Sequence, residues 1–342
     1  MVTYRDSGVD IEAGAKAVSL MKTAVQSTYG PEVLQGLGAF GGLFDVAGLK
    51  DMAAPVLVAS TDGVGTKTKI ASAIGRFDTI GYDIVNHCVN DILVQGARPL
   101  FFLDYVAAGR LDPEMVADIV RGCAAACQAI GCALLGGETA EMPGVYVEGE
   151  FDLVGTVVGV VDRAAIIDGS TMQPGDTIIG LASSGLHTNG YSLARRVFQD
   201  WDWRAEVSEL GRPLGEALLV PHRAYLAEIE ALRQADIIIK GMAHITGGGL
   251  IDNPPRIFPA GLAAQIDRES WPVPPLFQLI QQVGQIDPFE MLRAFNMGLG
   301  LLLVVPTEQA QATLSLLADQ AVQAWAVGQV VTGQDTPTVQ IV

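Results

Sequence analysis

The stretch Ser-Thr-Asp-Gly-Val-Gly-Thr-Lys at residues 60–67 directly follows the apolar run Pro-Val-Leu-Val-Ala at 55–59. The run predicts a strand, and a strand that ends this way presents polar side chains at one edge of a sheet. Gly63 and Gly65 let backbone N–H groups approach an anion closely. An oxygen of Asp62 can bind a hard cation, and Lys67 can neutralise a phosphoryl oxygen. The stretch therefore predicts a site for a metal-bound phosphate, which indicates a nucleotide enzyme.

Strand-like runs alternate with amphipathic helical patterns along the chain, which predicts an α/β (α+β) fold. In the first half we predict helices at 10–26, 78–95 and 112–130 and strands at 55–60, 99–106, 132–136 and 152–161. In the second half we predict strands at 177–182, 236–239, 299–305, 325–331 and 337–342, and helices at 190–199, 221–234, 275–283 and 307–320. A polar, turn-like segment places the boundary near residue 168. The prediction is two domains, 1–168 and 169–342.

Composition narrows the class of function. The 342 residues include 38 acidic and 21 basic side chains, a formal charge of −17, which argues against nucleic acid or an anionic membrane as partner. The longest apolar runs contain glycines and are too short to span a bilayer, and the N-terminus lacks the pattern of a secretory signal. We therefore expect a cytoplasmic protein with no transmembrane segment.

All four cysteines lie between residues 88 and 132, a usage typical of reduced, packed thiols. Cys123 and Cys127 stand four residues apart on a predicted helix and could share a metal ion. The alanines between them favour a small-residue packing face instead, and we assign no zinc site.

A second acidic cluster lies on the predicted helix at 78–95. Asp83, His87 and Asp91 follow one another at intervals of four residues, which places them on one helical stripe. One interpretation of His87 is a metal ligand. The other, which we favour, is the polar face of an amphipathic helix.

A third cluster is Gly-Gly-Glu-Thr-Ala-Glu-Met-Pro-Gly at 136–144, which follows a short apolar run. Glu138 would stand at a strand end, where a carboxylate can bind Mg²⁺. An ordinary turn would explain the glycines and the proline equally well, but not the position of Glu138.

Two further loops carry small donors and glycines: Ser-Ser-Gly-Leu-His-Thr-Asn-Gly at 183–190 and His-Ile-Thr-Gly-Gly-Gly at 244–249. The start of a helix favours an anion, although a simple capped loop would look the same in sequence. The chain contains no Walker A loop, no Rossmann glycine pattern, no nucleophile elbow and no zinc-protease motif. The nucleophile is therefore expected to belong to the substrate.

Taken in order, these motifs closely resemble the phosphoribosylformylglycinamidine cyclo-ligases, also called aminoimidazole ribonucleotide synthetases. The resemblance includes the opening segment at 4–14 and Phe-Phe-Leu-Asp-Tyr at 101–105, and it extends to the C-terminus. It implies ATP-dependent closure of formylglycinamidine ribonucleotide to 5-aminoimidazole ribonucleotide, with release of ADP and phosphate, in purine biosynthesis. It also implies a homodimer, in which the sheet of a ferredoxin-like N-terminal domain pairs with its copy in a barrel-like core. ATP would bind in a cleft near that interface.

The resemblance also assigns roles to residues. Asp62, Asp91 and Glu138 would hold Mg²⁺ against the ATP phosphates, Lys67 would contact phosphate, and the glycine-laden segment 36–42 would close over ATP. Asp91 and Lys67 would serve catalysis, and His244 is the candidate for the proton transfer, with Asp104 a weaker acidic candidate. The nucleotide-binding set is Lys22, Thr61, Asp62, Gly63, Gly65, Thr66, Lys67 and Thr139. The ribonucleotide-binding set is Ser184, His187, Asn189, Thr246, Gly247, Gly248 and Gly249.

Rival members of the wider superfamily would carry different marks. A selenophosphate synthetase would have an N-terminal cysteine or selenocysteine, a hydrogenase-maturation relative would end in cysteine, and a formylglycinamidine ribonucleotide synthetase would be far longer or assembled from subunits. A thiamine-phosphate kinase would not keep both the segment 136–144 and the loop 183–190. A silent nucleotide-binding scaffold would be favoured by loss of an acidic ligand or of Lys67, and all of them are present.

Overall fold

The computed structural model describes residues 7–342, which form two compact units. The first three residues of the opening segment 4–14 lie outside this range. One unit comprises residues up to Ile92 together with Ala97–Ala165, and the other comprises Leu93–Gly96 and Ile166–Val342. The predicted α/β class with two domains is confirmed. The exact limits 1–168 and 169–342 stay a prediction, since compactness alone does not test independent folding.

The described part of the first unit combines four α-helices with six strands. The helices are α1 (Ile11–Gln26), α2 (Thr68–Ile74), α3 (Ile80–Leu93) and α4 (Pro113–Ala129). The strands are β1 (Val33–Gln35), β2 (Leu43–Phe44), β3 (Pro55–Gly63), β4 (Arg98–Ala108), β5 (Ala133–Glu141) and β6 (Phe151–Asp162). β1 and β2 pair with each other, and the other four strands form a mixed sheet in the order β3-β6-β4-β5. In this sheet β4 and β5 are parallel and the other pairs are antiparallel.

Local sequence sets the ends and the spacing of these helices. Asp10 caps α1 and Asp112 caps α4, each carboxylate accepting hydrogen bonds from two backbone N–H groups of the first turn. Gly81 of α3 and Gly122 of α4 lie against the facing backbone, and a Cβ added at Gly81 would stand 2.2 Å from the Ile119 carbonyl oxygen. The absence of a side chain at both positions therefore lets α3 and α4 pack closely.

The two faces of this sheet differ. Phe151, Leu153 and Val157 of β6 are buried, whereas the residues that alternate with them along the strand are half-buried. On the edge strand β3, Leu57 is exposed. One face thus forms the core of the unit, and the other keeps a partly open apolar surface.

The second unit is built on a six-stranded sheet with a separate two-stranded pair. Its strands are β7 (Thr177–Ala182), β8 (Glu206–Val207), β9 (Arg212–Pro213), β10 (Gly241–His244), β11 (Leu262–Ile266), β12 (Leu299–Val305), β13 (Ala324–Thr332) and β14 (Val339–Ile341). The six-stranded sheet has the order β10-β12-β7-β13-β11-β14, and β8 pairs with β9. Its helices are α5 (Tyr191–Val197), α6 (Leu214–Leu218), α7 (Leu226–Gln234), α8 (Gly249–Asp252), α9 (Pro275–Gly284), α10 (Pro288–Ala294) and α11 (Ala310–Asp319). Every residue of β12 is buried, so this strand lies in the core of the unit.

Two predicted elements differ from the structure. The strand expected at 236–239 is wrong: Asp236 has a positive φ of 56° at the end of α7, and the strand that follows begins at Gly241. The helix expected from residue 221 begins only at Leu226. Residues 221–225 are irregular, and this segment contributes to the site described below. Among the described residues, no helix is long and apolar enough to cross a membrane.

Candidate active site

Three side chains meet where β3 ends beside α3. His87 Nε2 lies 2.8 Å from Asp62 Oδ2 and 3.6 Å from Asp91 Oδ2, and the Ser60 hydroxyl donates to Asp91 Oδ2 at 3.0 Å. His87 is almost fully buried, whereas the side chains of Asp62 and Asp91 are 45% and 28% exposed. The two carboxylates therefore converge at the surface above a buried imidazole.

The carboxylates and the imidazole of this group shift one another's pKa values. Burial opposes protonation of His87, but the hydrogen bond to Asp62 and the charges of Asp91, Asp62 and Asp83 outweigh it, so the pKa of His87 is raised. Burial also acts against the charged form of Asp62, yet the contact with His87 and the Gly63 N–H hold its pKa below the ordinary value. Asp62 is therefore kept ionised.

The donor set fits a magnesium ion. Asp62 and Asp91 offer two carboxylates with oxygens near one another on a partly exposed surface, and Mg²⁺ is commonly held by one or two carboxylates together with waters and phosphates. His87 does lie on the polar stripe of α3, the favoured interpretation, but this stripe is buried at His87, which is 4% exposed. The helix is buried on this side, and the imidazole supports the carboxylates from below.

Lys67 lies in the interior, not at the surface. Its ammonium is 2.8 Å from Asp83 Oδ1, and both side chains are fully buried. Burial lowers the pKa of Lys67, and Asp83 opposes this shift. The pair ties the loop after β3 to the helix that carries His87 and Asp91. The predicted phosphate contact of Lys67 stays a prediction.

Glu138 is separated from the other two acids within one chain. Strand register aligns Asp62, Gly155, Asp104 and Gly137 in one row across the sheet, with Glu138 next to the end of that row. Three strand spacings, roughly 14 Å, therefore separate β3 from β5 at this level. Glu138 is exposed and accepts the N–H of Thr139 at 2.9 Å. Its metal role stays a prediction.

A cavity of about 210 Å³ lies beside β5 in the first unit. Glu138 and Thr139 stand at its polar side, and Leu37 comes from the segment 36–42. Much of the rest is apolar, from α1, α4 and β5: Val18, Met21, Val25, Val120 and Leu134. Lys22 of α1 is exposed and follows one of these residues in sequence. This cavity gathers several elements that sequence analysis assigned to nucleotide binding.

In the second unit, a buried asparagine positions the loop 183–190. Asn296 accepts from the Ser183 hydroxyl at 3.0 Å and donates to the Gly185 carbonyl at 2.9 Å. Ser184 is exposed, and its hydroxyl donates to the Pro221 carbonyl at 2.5 Å. The loop is thus a fixed structure that leaves Ser184 at the surface.

A second asparagine positions the glycine loop after β10. Asn253 accepts from the Thr246 N–H at 2.8 Å and donates to the Gly247 carbonyl at 3.2 Å. Gly249 has a φ of 57°, and a Cβ there would stand 2.1 Å from the Leu292 carbonyl oxygen. A Cβ at Gly247 would lie 3.2 Å from Asn189 Oδ1, which places the two predicted substrate loops side by side.

Behind these loops lies a group of three buried histidines, which we call the histidine cluster: His187, His222 and His244. His187 is 1% exposed and accepts from the Ser184 N–H at 3.2 Å through Nε2. Its ring therefore supports the loop from inside, and its direct contact with substrate stays a prediction. His222 was not predicted, because its segment was assigned to a helix.

Comparison with known proteins agrees with this architecture. The family model of the AIR synthase related protein, N-terminal domain, matches residues 46–161, and that of the C-terminal domain matches 173–340. Among solved structures, hydrogenase maturation protein HypE in complex with ATP has a TM-score of 0.68 at 20% identity, over 98% of this chain and 93% of that one. Thiamine-monophosphate kinase from Stenotrophomonas maltophilia has a TM-score of 0.67 at 20% identity, over 94% and 95%. Fold and matched models thus define a two-domain protein of the AIR synthase class.

Sequence relatives identify the branch. A phosphoribosylformylglycinamidine cyclo-ligase from Desulfitobacterium hafniense is 54% identical over 96% of each chain, and one from Myxococcus xanthus is 53% identical over 99% of each. The chain belongs to the phosphoribosylformylglycinamidine cyclo-ligase family.

Proposed function

We propose that this protein closes formylglycinamidine ribonucleotide to 5-aminoimidazole ribonucleotide with consumption of ATP, as a ligase of purine biosynthesis. The formyl oxygen of the substrate takes the γ-phosphoryl group of ATP, and ADP leaves. An amidine nitrogen of the same substrate then forms the new C–N bond at the formyl carbon, loses a proton, and displaces phosphate together with that oxygen. The identity above 50% to cyclo-ligases along the whole chain is the observation that carries this proposal.

The acidic pair at the end of β3 is proposed to hold Mg²⁺. Asp62 and Asp91 supply oxygen ligands, and His87 holds them in place from below. When bound, the ion neutralises charge on the ATP phosphates during phosphoryl transfer. The backbone N–H groups around Gly63 and Gly65, with Thr61 and Thr66, are proposed to bind the phosphates of ATP.

The cavity beside β5 is proposed to receive the adenosine part of ATP. Its apolar lining suits a flat base, and Thr139 and the nearby Lys22 offer polar contacts at its side. The segment 36–42 supplies Leu37 to the lining and would close over the nucleotide, which excludes water and limits wasteful hydrolysis.

The second unit is proposed to bind the ribonucleotide. Ser184 and Asn189 come from one loop, and Thr246, Gly247 and Gly248 come from the loop beside it. Gly249 lets the second loop pack closely on its neighbours, His187 supports the first, and His244 at the end of β10 is the candidate for taking the proton lost in ring closure.

A homodimer is proposed from the half-open sheet of the first unit. Helices cover one face, while the other keeps partly exposed apolar side chains at the positions of Leu57, Phe101 and Val158. A second copy could bury this face, and Glu138 could then reach a site formed with the other subunit. We also propose that the enzyme works in the cytoplasm, without nucleic acid or membrane.

The test is to mix purified protein with Mg²⁺, ATP and formylglycinamidine ribonucleotide and to follow ADP and aminoimidazole ribonucleotide together. We expect equal formation of both products, and no ADP when the ribonucleotide is omitted. ADP formed with another acceptor and without the imidazole would identify a sister kinase. A folded protein that binds ATP and forms neither product would be a nucleotide-binding scaffold.

A further inference from the structure

Three of the four histidines in the chain make up the histidine cluster. His222 stands at its centre, because it contacts both of the others. Its ring stacks on His187 with centroids 3.9 Å apart and an angle of 21° between the planes, and its Nε2 lies 3.0 Å from His244 Nε2. His222 is 1% exposed. It lies outside the sequence motifs at 183–190 and 244–249.

A continuous hydrogen-bonded path runs through His222. On one side its Nδ1 lies 3.3 Å from the Thr188 hydroxyl oxygen, which also accepts from the Asn189 side-chain amide at 3.3 Å. On the other side its Nε2 faces His244 Nε2. The path therefore links the loop 183–190 to the residue proposed to transfer the proton.

The facing nitrogens constrain each other. Two Nε2 atoms 3.0 Å apart can share one hydrogen bond only if one of them carries a proton and the other presents a lone pair. The threonine hydroxyl can accept a second hydrogen bond, so Nδ1–H of His222 has an acceptor there. If His222 carries its proton on Nδ1, its Nε2 must accept from His244.

We infer that His222 is a positioning residue that, together with Thr188, fixes the tautomer of His244. His222 donates through Nδ1 to Thr188 and accepts through Nε2 from His244. The neutral ring of His244 then holds its proton on Nε2 and keeps the lone pair on Nδ1. This lone pair can take the proton that the amidine nitrogen loses, so the inference deepens the proposed function and rests on it.

The stack with His187 supports the same arrangement. Because His187 accepts the Ser184 N–H through Nε2, its own proton belongs on Nδ1 when the ring is neutral. The stacked rings are buried, which disfavours positive charge on both at once. His222 is therefore held between a stacking partner, His187, and a hydrogen-bonding partner, His244.

The experiment reads the tautomers directly by NMR in protein labelled with ¹⁵N-histidine, without substrate. Four histidines give a spectrum that single substitutions can assign. We expect His244 to be protonated on Nε2 in the wild type. Thr188→Val removes the acceptor of Nδ1–H, so the proton of His222 should move to Nε2 and that of His244 to Nδ1. Thr188→Ser should restore the wild-type pattern.

A matched control is Thr313→Val, a buried threonine of the same unit whose hydroxyl donates to the carbonyl of Gln309, the residue before α11. It should leave all histidine tautomers unchanged. His222→Phe keeps an aromatic ring to stack on His187 but offers no acceptor, so it should change the tautomer of His244. In His222→Gln the carboxamide oxygen can accept instead, so His244 should keep its proton on Nε2. In turnover, we expect Thr188→Val and His222→Phe to lower kcat roughly 10- to 100-fold, with little change in KM for ATP.

The outcomes separate the two proposals. If His244 keeps its tautomer and kcat in Thr188→Val and His222→Phe, the inference is wrong even though the enzyme is active. If the tautomers change as expected but the wild type forms no imidazole, the pairing stands and the proposed function fails. About one zinc ion per purified chain, lost in His222→Phe, would also overturn the inference, because three imidazoles can bind zinc.

Discussion

His87 Nε2 lies 2.8 Å from Asp62 Oδ2, which joins the end of β3 to α3 through a buried imidazole and a partly exposed carboxylate. The same nitrogen is 3.6 Å from Asp91 Oδ2, one helical turn further along α3. A single ring thus sets the separation of two carboxylates that come from different elements. This relationship explains how a polar residue can serve a surface site while it is almost fully buried.

Asp91→Asn should lower Mg²⁺-dependent turnover by roughly 100-fold or more while the protein stays folded, since the amide is a poor ligand for a hard cation. The Ser60 hydroxyl can still donate to the amide oxygen, so the local structure should survive. Steady-state ADP release at several Mg²⁺ concentrations measures the effect.

The matched control is Asp118→Asn, a partly exposed acid on α4 of the same unit that pairs with Arg121. It should keep wild-type turnover. Near-normal activity of the Asp91 variant across the Mg²⁺ series would remove Asp91 from the site.

If each site of the homodimer combines Asp91 of one subunit with Glu138 of the other, variants at these two positions should restore activity when mixed. Asp91→Asn and Glu138→Gln should each be nearly inactive alone. A mixture exchanged in equal amounts should recover about a quarter of wild-type activity, since half the dimers are mixed and each of these has one intact site. Activity after subunit exchange, with each variant mixed with itself as the control, measures this.

No recovery in a mixture shown to contain mixed dimers would place Glu138 and Asp91 in the same chain's site. A monomeric protein by light scattering would contradict the homodimer itself.

The sequence predicted those elements of the structure that a local pattern of residues determines. Strands at 177–182 and 299–305 have the predicted bounds, because continuous apolar runs bounded by turn residues are typical of buried strands. The apolar run after Asp236 has the same pattern, but the strand predicted there is wrong. Its Ile238 is exposed, and the left-handed conformation of Asp236 ends a helix there.

Residues that position the site loops from distant parts of the sequence have no local sequence signal. The Asn296 side chain donates a hydrogen bond to the Gly185 carbonyl, 111 positions away in sequence. A single asparagine in a sequence does not indicate so distant a partner. The role of His222 was not predicted because 221–234 was predicted as one helix. In the structure, Pro221 and the next four residues come before α7. For His87 the spacing to Asp91 was recognised, but a single helix pattern does not tell which polar stripe faces inward.

Asp104 should make stability fall as the pH rises. Burial raises the pKa of this carboxyl from its ordinary value of 3.8 to about 7 in the folded protein. Between these values the unfolded chain has lost the proton and the folded chain keeps it, so the contribution is complete below pH 3.8 and is lost towards pH 7.

Urea unfolding at pH 5 and pH 8 tests this with Asp104→Asn as the comparison. Relative to the variant, the wild type should lose about 2 to 3 kcal/mol of unfolding free energy between the two values. An equal pH dependence of both proteins would show that Asp104 ionises normally in the fold.

Lys67 and Asp83 provide the sharpest test of a sequence assignment. Lys67→Met leaves the carboxylate of Asp83 in a fully buried position without its cation, and should lower the unfolding free energy by roughly 3 to 5 kcal/mol. Replacing both residues, as Lys67→Met with Asp83→Leu, should recover most of this loss, since apolar side chains of similar volume can substitute for a buried ion pair.

Turnover of the double variant then separates the two roles of Lys67. If the ammonium only anchors the loop after β3 to α3, the apolar pair should replace it and no contact with phosphate is lost. We then expect kcat within about tenfold of the wild type. If Lys67 leaves Asp83 to contact phosphate during the reaction, the double variant should be stable and yet keep the full loss of kcat. Thermal unfolding and ADP release on the same preparations decide between a structural anchor and a phosphate ligand.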